Sequence, residues 1–244
     1  MSARTKSRLD RLLVERGLAE TREKAQALIM AGSVLVDGQK LDKPGHSVHA
    51  ECRVEVLGGL RYSSRGGLKL EAALDRFHID VAGRVCLDVG SSTGGFTDCL
   101  LQRGAARVYA VDVGKGQLDW KLRNDPRVVV REGLNARYLT REDIGETVSF
   151  VVCDVSFISV TLILEAVTAV LDEAGQMVIL VKPQFEVGRG QVGKGGIVRD
   201  PVLHEAACRK VDGSVRALGF ETDIMESPIL GTEGNKEFLL YVHH

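Results

Sequence analysis

Between residues 84 and 183, five apolar, β-branched runs follow one another: RVCLDV, RVYAVDV, RVVVRE, SFVVCDV and MVILVKP. A strand that is apolar on both faces must be covered on both, which is the situation of a parallel sheet flanked by helices. Segments of helical spacing supply that cover: FTDCLLQRG from Phe96, VTLILEAVTAVL from Val160, and PVLHEAACRKVDGSVRALG from Pro201. TDIMESPI and EFLLYV read as two closing strands. The expected fold class is therefore α/β, doubly wound, with ligands bound beyond the C-terminal strand ends. VTLILEAVTAVL is apolar nearly all round and reads as a buried helix; it is far short of the ~20 residues of a membrane span. Upstream, GGLRYSSRGG (58–67) breaks all periodicity, and after it Leu70, Ala73, Leu74 and Phe77 stand at helical spacing. These breaks divide the chain into a front module over 1–57, a linker over 58–67 and the α/β domain over 68–244.

The front module carries its own signals. Leu9, Leu12 and Leu13 define one helical face that ends at Gly17. Thr21 is placed to cap a second helix with Ala25, Leu28 and Ile29 inward, and Asp37-Gly38 is a hairpin turn. Residues 1–69 hold 13 Lys/Arg against 8 Asp/Glu, a balance of +5, whereas the remaining 175 residues hold 19 against 25, a balance of −6. A basic front on an acidic body points to an anionic partner, nucleic acid first. Arg4, Lys6, Arg8, Arg11, Arg22 and Lys24 lie off the apolar face and are the candidate phosphate contacts, with Arg65 of the linker beside them. The five cysteines are scattered and form no CxxC, so neither a disulfide framework nor a metal site is expected, and a reducing cytoplasm is. The N-terminal stretch has no apolar core of a signal peptide.

The glycine-rich stretch DVGSSTGGFT, Asp88 to Thr97, follows the first strand. A P-loop needs a lysine after its last glycine, and here Phe96 follows Gly94-Gly95. A dinucleotide turn needs a second glycine at the position of Ser92. Asp88 separates the ligands further, because a carboxylate beside this turn repels a pyrophosphate and attracts the ammonium and sulfonium of S-adenosylmethionine. Asp112, at the end of the next strand with Val113 after it, suits an adenosine ribose. The expected cofactor contacts are thus Asp88, Gly90, Ser91, Ser92, Thr93, Gly94, Gly95, Phe96, Asp112 and Val113. A purely structural glycine turn is the alternative.

Two further strand ends carry chemistry. CDVSFIS places Asp154 after the fourth run, without the prolines of the turn common in nitrogen methyltransferases. In VILVKP, Pro183 holds Lys182 in an extended conformation at the strand tip. Glu237 opens the last strand and Lys69 stands early in the helix after the linker. Two lysines and two carboxylates around a methyl donor suit methylation of a ribose hydroxyl. In this reading Lys182 activates the hydroxyl, Asp154 orients it beside the methyl donor, and Lys69 with Glu237 holds the nucleotide. Phe185 to Asp200 is rich in glycine and reads either as a mobile loop over the site or as an idle linker.

The segment RLDRLLVERGLAETREKAQALIMAGSVLVDG resembles the S4 RNA-binding domain. Together with SRGGLKLE, DVGSSTGGFTD, CDVSFIS and VKPQFE, it makes nearly the whole chain resemble the TlyA family, proteins with an S4 domain and an FtsJ-type methyltransferase domain, some of which are called haemolysin A. The resemblance implies a Rossmann-like class I methyltransferase with a mostly parallel seven-stranded sheet behind a small α+β S4-like domain. It implies S-adenosylmethionine-dependent 2′-O-methylation of cytidine in ribosomal RNA, with ribosomal RNA or subunits as partner. It carries a Lys-Asp-Lys-Glu tetrad onto Lys69, Asp154, Lys182 and Glu237, and places Asn135 near the adenine. A membrane-active haemolysin and an RNA-binding protein with an inactive methyltransferase fold are the competing classes; no membrane span or amphipathic cationic helix is visible for the first.

Overall fold

The structure is a computed structural model that describes residues 6–57, 61–231 and 234–244. The chain divides into two compact units, 1–65 and 66–244, each with its own apolar core. In the first, β1 (Lys6–Arg8) leads into α1 (Leu9–Glu15) and α2 (Arg22–Met30), then β2 (Val34–Val36), β3 (Gln39–Lys40), β4 (Ser47–His49) and β5 (Val54–Val56). Leu9, Leu12 and Leu13 meet Ala25, Leu28 and Ile29 in one buried cluster, as their helical spacing requires. Thr21 Oγ1 accepts from the Lys24 N–H at 3.2 Å and caps α2. Asp37 and Gly38 adopt φ of 49° and 80°, the conformation of a two-residue hairpin turn, and β2 pairs with both β3 and β5.

The second unit opens with α3 (Gly66–Arg76) and continues β6 (Val85–Val89), α4 (Gly95–Gln102), β7 (Arg107–Asp112), α5 (Trp120–Arg123), β8 (Val128–Glu132), α6 (Arg141–Ile144) and β9 (Val148–Cys153). It closes with α7 (Leu164–Val170), β10 (Leu171–Val181), α8 (Pro183–Glu186), α9 (Pro201–Arg216), β11 (Glu221–Glu226) and β12 (Phe238–His243). The seven strands form one sheet in the order β11-β12-β10-β9-β6-β7-β8. The five from β10 to β8 run parallel and β12 is antiparallel to both of its neighbours. After β6 the chain moves outward through β7 and β8, then returns to the other side of β6 as β9. That reversal opens a crevice at the C-terminal ends of β6 and β9, where a doubly wound sheet binds its ligand.

Three local readings change. Gly66 and Gly67 belong to α3 and not to a linker; the first turn of a helix has no i−4 partners to lose, so glycine is tolerated there. VTLILEAVTAVL is not one helix buried all round: a 3₁₀ turn over Val160–Leu162 precedes α7, Leu162 is exposed, and Leu171 already belongs to β10. In the glycine-rich stretch before α9, the end near Val198 is tied down. Asn235 Oδ1 accepts from the Val198 N–H at 3.0 Å, Asn235 Nδ2 donates to the Gly196 carbonyl at 3.0 Å, and His204 Nε2 lies 2.8 Å from the Val198 carbonyl.

Candidate active site

A cleft of about 310 Å³ opens at the switch point, close to the lower bound of small-molecule sites at roughly 300–1,000 Å³. Val89, Val111, Leu134, Ala136 and Ile158 give it apolar walls, and Asp112, Asn135, Asp154 and Ser156 its polar groups. Of the residues expected from the glycine loop and the strand after it, Gly90, Ser92, Asp112 and Val113 line the cleft. Asp88, Ser91, Thr93, Gly94, Gly95 and Phe96 are not among its lining residues. Phe96, only 3% exposed, belongs to the core.

Gly90 has φ +84°, and a Cβ there would stand 2.5 Å from the Asp154 carbonyl oxygen. The Asp154 N–H donates to the Val89 carbonyl at 2.9 Å, so the chain ends leaving β6 and β9 run against each other with room only for glycine. Gly94, at φ +95°, precedes α4. Asp112 organises both loops around it: Oδ2 accepts from the Ser92 N–H at 2.8 Å and Oδ1 from the Gly114 N–H at 2.7 Å. The Asp119 N–H donates to the Thr93 carbonyl at 3.3 Å, which joins the loop before α5 to the glycine turn. Asn135 spends its Oδ1 on the Arg137 N–H at 3.1 Å.

Asp88 is wholly buried. Its Oδ2 accepts from Thr97 Oγ1 at 2.6 Å, while Oδ1 has no hydrogen-bond partner. Burial, reinforced by the Asp154 and Asp112 charges and only partly opposed by Thr97, pushes its carboxyl up to about 7. A buried acceptor left unpaired is costly, so this oxygen awaits a donor or a cation.

The four residues Lys69, Asp154, Lys182 and Glu237 form two pairs. Lys182 follows β10 directly, in extended conformation, and its Nζ lies 2.5 Å from Asp154 Oδ1. That contact is a charge pair off the hydrogen-bonding direction, because Oδ1 accepts no aligned bond. The aligned bond goes instead to Ser156 Oγ, at 2.8 Å. Lys69 of α3 donates to Glu237 Oε2, and both side chains are buried. Val181 pairs with Phe238, so one further step of that register sets Glu237 opposite Lys182. Gly231 makes room for the Glu237 carboxylate, which a Cβ at that position would strike. Cys153, just before Asp154, is buried, and burial pushes its thiol up and leaves it inert.

An FtsJ-like methyltransferase model matches residues 62–244 and an S4 domain model residues 7–54. The chain belongs to the FtsJ-like methyltransferase family. Among its relatives, "16S/23S rRNA (cytidine-2'-O)-methyltransferase TlyA" of Mycobacterium tuberculosis is 49% identical, over 97% of this chain and 90% of that protein. "Hemolysin A" of Brachyspira hyodysenteriae is 45% identical, over 96% of this chain and 98% of its own. A solved structure from Streptococcus thermophilus, 47% identical, superposes with TM-score 0.76 and covers 99% of this chain and 89% of that one.

Sequence reasoning passed over three residues of the FtsJ-like domain. Ser156 lies between Asp154 and Phe157 in DVSFIS and was legible only as a small polar residue. Phe157 lines the cleft while 89% exposed, with φ +68°, and its ring lies 5.5 Å from that of Phe185. A bulky residue held in the left-handed region is strained, and such strain concentrates at functional sites. Gln117, whose Oε1 is 3.4 Å from Ser92 Oγ, closes the cleft beside the glycine turn.

In the S4 domain the expected phosphate contacts are not equivalent. Arg4 lies outside the described residues. Arg8 grips the buried Asp10 through Nε and Nη2, each at 3.0 Å, and Arg22 Nε and Gln26 Nε2 each reach it at 2.9 Å. Those donors hold the Asp10 carboxyl far below the usual carboxylate range. Arg8 and Arg22 are thus in part structural, although about half of each side chain faces solvent. Lys24 pairs with Glu20 at 2.5 Å, Lys6 and Arg11 are exposed, and Arg65 is half-buried. No helix among the described residues is long and apolar enough to cross a membrane.

Proposed function

We propose that this chain methylates the 2′-hydroxyl of a cytidine in ribosomal RNA, 16S, 23S or both, with S-adenosylmethionine as methyl donor. The observation that carries the reading is the meeting of Lys182, Asp154 and Ser156 at the rim of a cleft whose other wall bears Asp112. The relatives' named activity supports the base and the reaction. The donor set fits the cofactor. Asp112 keeps a lone pair on each oxygen for the ribose hydroxyls, the apolar walls and Asn135 receive the adenine, and the unpaired Oδ1 of Asp88 answers the ammonium.

When bound, the cofactor supplies an electrophilic methyl group. Lys182 holds the ribose 2′-oxygen; once it has released a proton to solvent, its amine takes the hydroxyl proton while the new carbon–oxygen bond forms and the bond from that methyl group to sulfur breaks, and the proton then leaves to solvent. Asp154 and Ser156 keep the lysine aimed. Lys69 and Glu237 fix the nucleotide, and the exposed face of Phe157 stacks on a base turned out of its helix. Residues 1–57 serve as the RNA-binding module, through Lys6, Arg8, Arg11, Arg22 and Lys24 with Arg4 and Arg65, and residues 68–244 as the catalytic domain. Five free cysteines suit the cytoplasm. Purified 30S, 50S and 70S particles incubated with labelled S-adenosylmethionine should acquire label on a cytidine ribose. No label on any particle or on free ribosomal RNA would remove this reading.

Asp88 makes cofactor binding pH-dependent. The folded, cofactor-free protein holds the Asp88 proton up to about pH 7, whereas the unfolded chain releases it near 3.8. The folded state binds more protons between those values, so this group's contribution to stability falls as pH rises through that window. Cofactor affinity runs the other way, because the ammonium selects the ionised carboxylate. Affinity is expected to rise roughly 15-fold from pH 5.5 to 7, following the ionised fraction. Asp88→Asn should bind weakly and with a flat profile. Titration followed by Trp120, the chain's one tryptophan, measures both, since its helix is joined to the glycine turn.

A further inference from the structure

Glu186 is a buried carboxylate that lines no part of the cleft and has no place in the chemistry above. Two of its three hydrogen bonds nonetheless go to the loop that carries Asp154 and Ser156, and the third goes to α9. Oε1 accepts from the Val160 N–H at 2.7 Å, and Oε2 accepts from Ser159 Oγ at 2.5 Å and from Lys210 Nζ at 3.0 Å. Lys210 of α9 also donates to the Glu186 carbonyl at 2.9 Å and to Ser159 Oγ at 3.1 Å. Taking a carboxylate out of water is costly unless partners replace the lost solvation. Here three donors do so, and each belongs to a different element from Glu186 itself.

The position of these bonds is what gives them consequence. The segment after β9 carries Asp154, Ser156 and Phe157, and ends at Ser159 and Val160. The segment after β10 carries Lys182, and four residues later Glu186. Glu186 therefore ties the far end of one catalytic loop to the far end of the other. Phe185, its neighbour in α8, touches Phe157 and grips the same loop a second time. A left-handed phenylalanine persists only where its surroundings over-determine it, and these two holds flank the strained residue.

We propose that Glu186 is a positioning residue: it braces the loop after β9 against the segment after β10, and so keeps Asp154 and Ser156 on Lys182 and Phe157 in its raised conformation. The proposal rests on the methyltransferase reading. Misplacement of reacting groups by about 1 Å costs on the order of 100-fold in rate. Glu186→Ala in the full chain is therefore expected to slow single-turnover methyl transfer at saturating S-adenosylmethionine by roughly 10- to 100-fold, with a smaller rise in its dissociation constant of about two- to fivefold, because the loosened loop also lines the cleft. In Glu186→Gln the amide can still accept from Val160 and donate to Ser159 but faces the Lys210 ammonium. Adding Lys210→Met to it removes that conflict and should restore the rate to within about threefold of the unaltered protein.

Rates are read well below each variant's unfolding midpoint, with amide exchange over 155–162 in parallel. That exchange should accelerate in Glu186→Ala whether or not RNA is methylated, because the Val160 N–H loses its acceptor. If Glu186→Ala fails to fold, Ser159→Ala removes one arm of the brace and should slow transfer by about three- to tenfold. Glu186→Ala, or Ser159→Ala in its place, with unchanged rate and unchanged exchange, or with rates that track only the loss of stability, would overturn the brace. Unaltered protein that methylates no RNA, with the exchange change present, would overturn the methyltransferase reading and leave the brace standing.

Discussion

Lys182→Ala is expected to lower single-turnover methyl transfer by about a thousandfold, within the 10²–10⁴ that a positioned acid–base group contributes. The side chain touches both Asp154 and Ser156, so its loss removes the acceptor for the hydroxyl proton and the centre of the local charge arrangement. Asp154 would then be left beside Asp88, another carboxylate, without its cation. Cofactor affinity should change by less than about twofold, because Lys182 is assigned to the hydroxyl and not to the cofactor. An equal rate loss at saturating and subsaturating RNA, with RNA affinity nearly intact, is the signature of a group that acts on the reacting atoms. Full activity in this variant would end the assignment of Lys182.

Gly90→Ala should be strongly damaging, because what its added methyl group strikes is backbone. Its Cβ would press on the Asp154 carbonyl at 2.5 Å and on the carbonyl carbon at 2.9 Å, both backbone atoms that have no rotamer to escape into. The left-handed backbone adds roughly 1–2 kcal/mol of strain for any residue with a Cβ. Together these place the expected destabilisation at about 3–5 kcal/mol, among the larger effects of single substitutions. The shift acts on the glycine turn and on Asp154 at once, so S-adenosylmethionine binding should weaken by about 100-fold or more, and transfer with it. Gly83→Ala is the control. It has φ +71° but nothing within 4 Å of the added Cβ, so it should show the strain alone and bind cofactor normally. Equal behaviour of the two variants would mean that the close approach at Gly90 is unimportant.

Much of the architecture is written locally. A β-branched run between turn residues has few other places to go than a covered strand, which is why the strands of the large sheet stand where the runs do. Thr21 acts on a backbone N–H three residues away and Asp37-Gly38 through its own left-handed backbone angles, so their local roles are visible in the chain itself, although Asp37 also bonds the distant Arg53. Helix ends were less legible: Gly66 and Gly67 read as linker, and the stretch from Val160 divides into a 3₁₀ turn, a short α-helix and a strand start because packing, and not apolar content, decides where each ends.

The site was legible as residue types at strand ends, because a doubly wound sheet delivers those ends to one rim. Which side chain meets which was not. Lys69 and Glu237 are 168 positions apart and pair only because α3 and the start of β12 converge in the folded unit. Arg8 and Arg22 read as free cations until Asp10, passed over as one acid in a charged helix, proves to be wholly buried between them. Asp88 was readable as a carboxylate beside a turn, but not as one half-neutralised near pH 7. Backbone preference is set by a residue and its neighbours in sequence, and the chain alone determined it. Charge pairing, desolvation and the brace of Glu186 depend on what the register of distant strands brings within a few ångströms, and only the tertiary structure decided them.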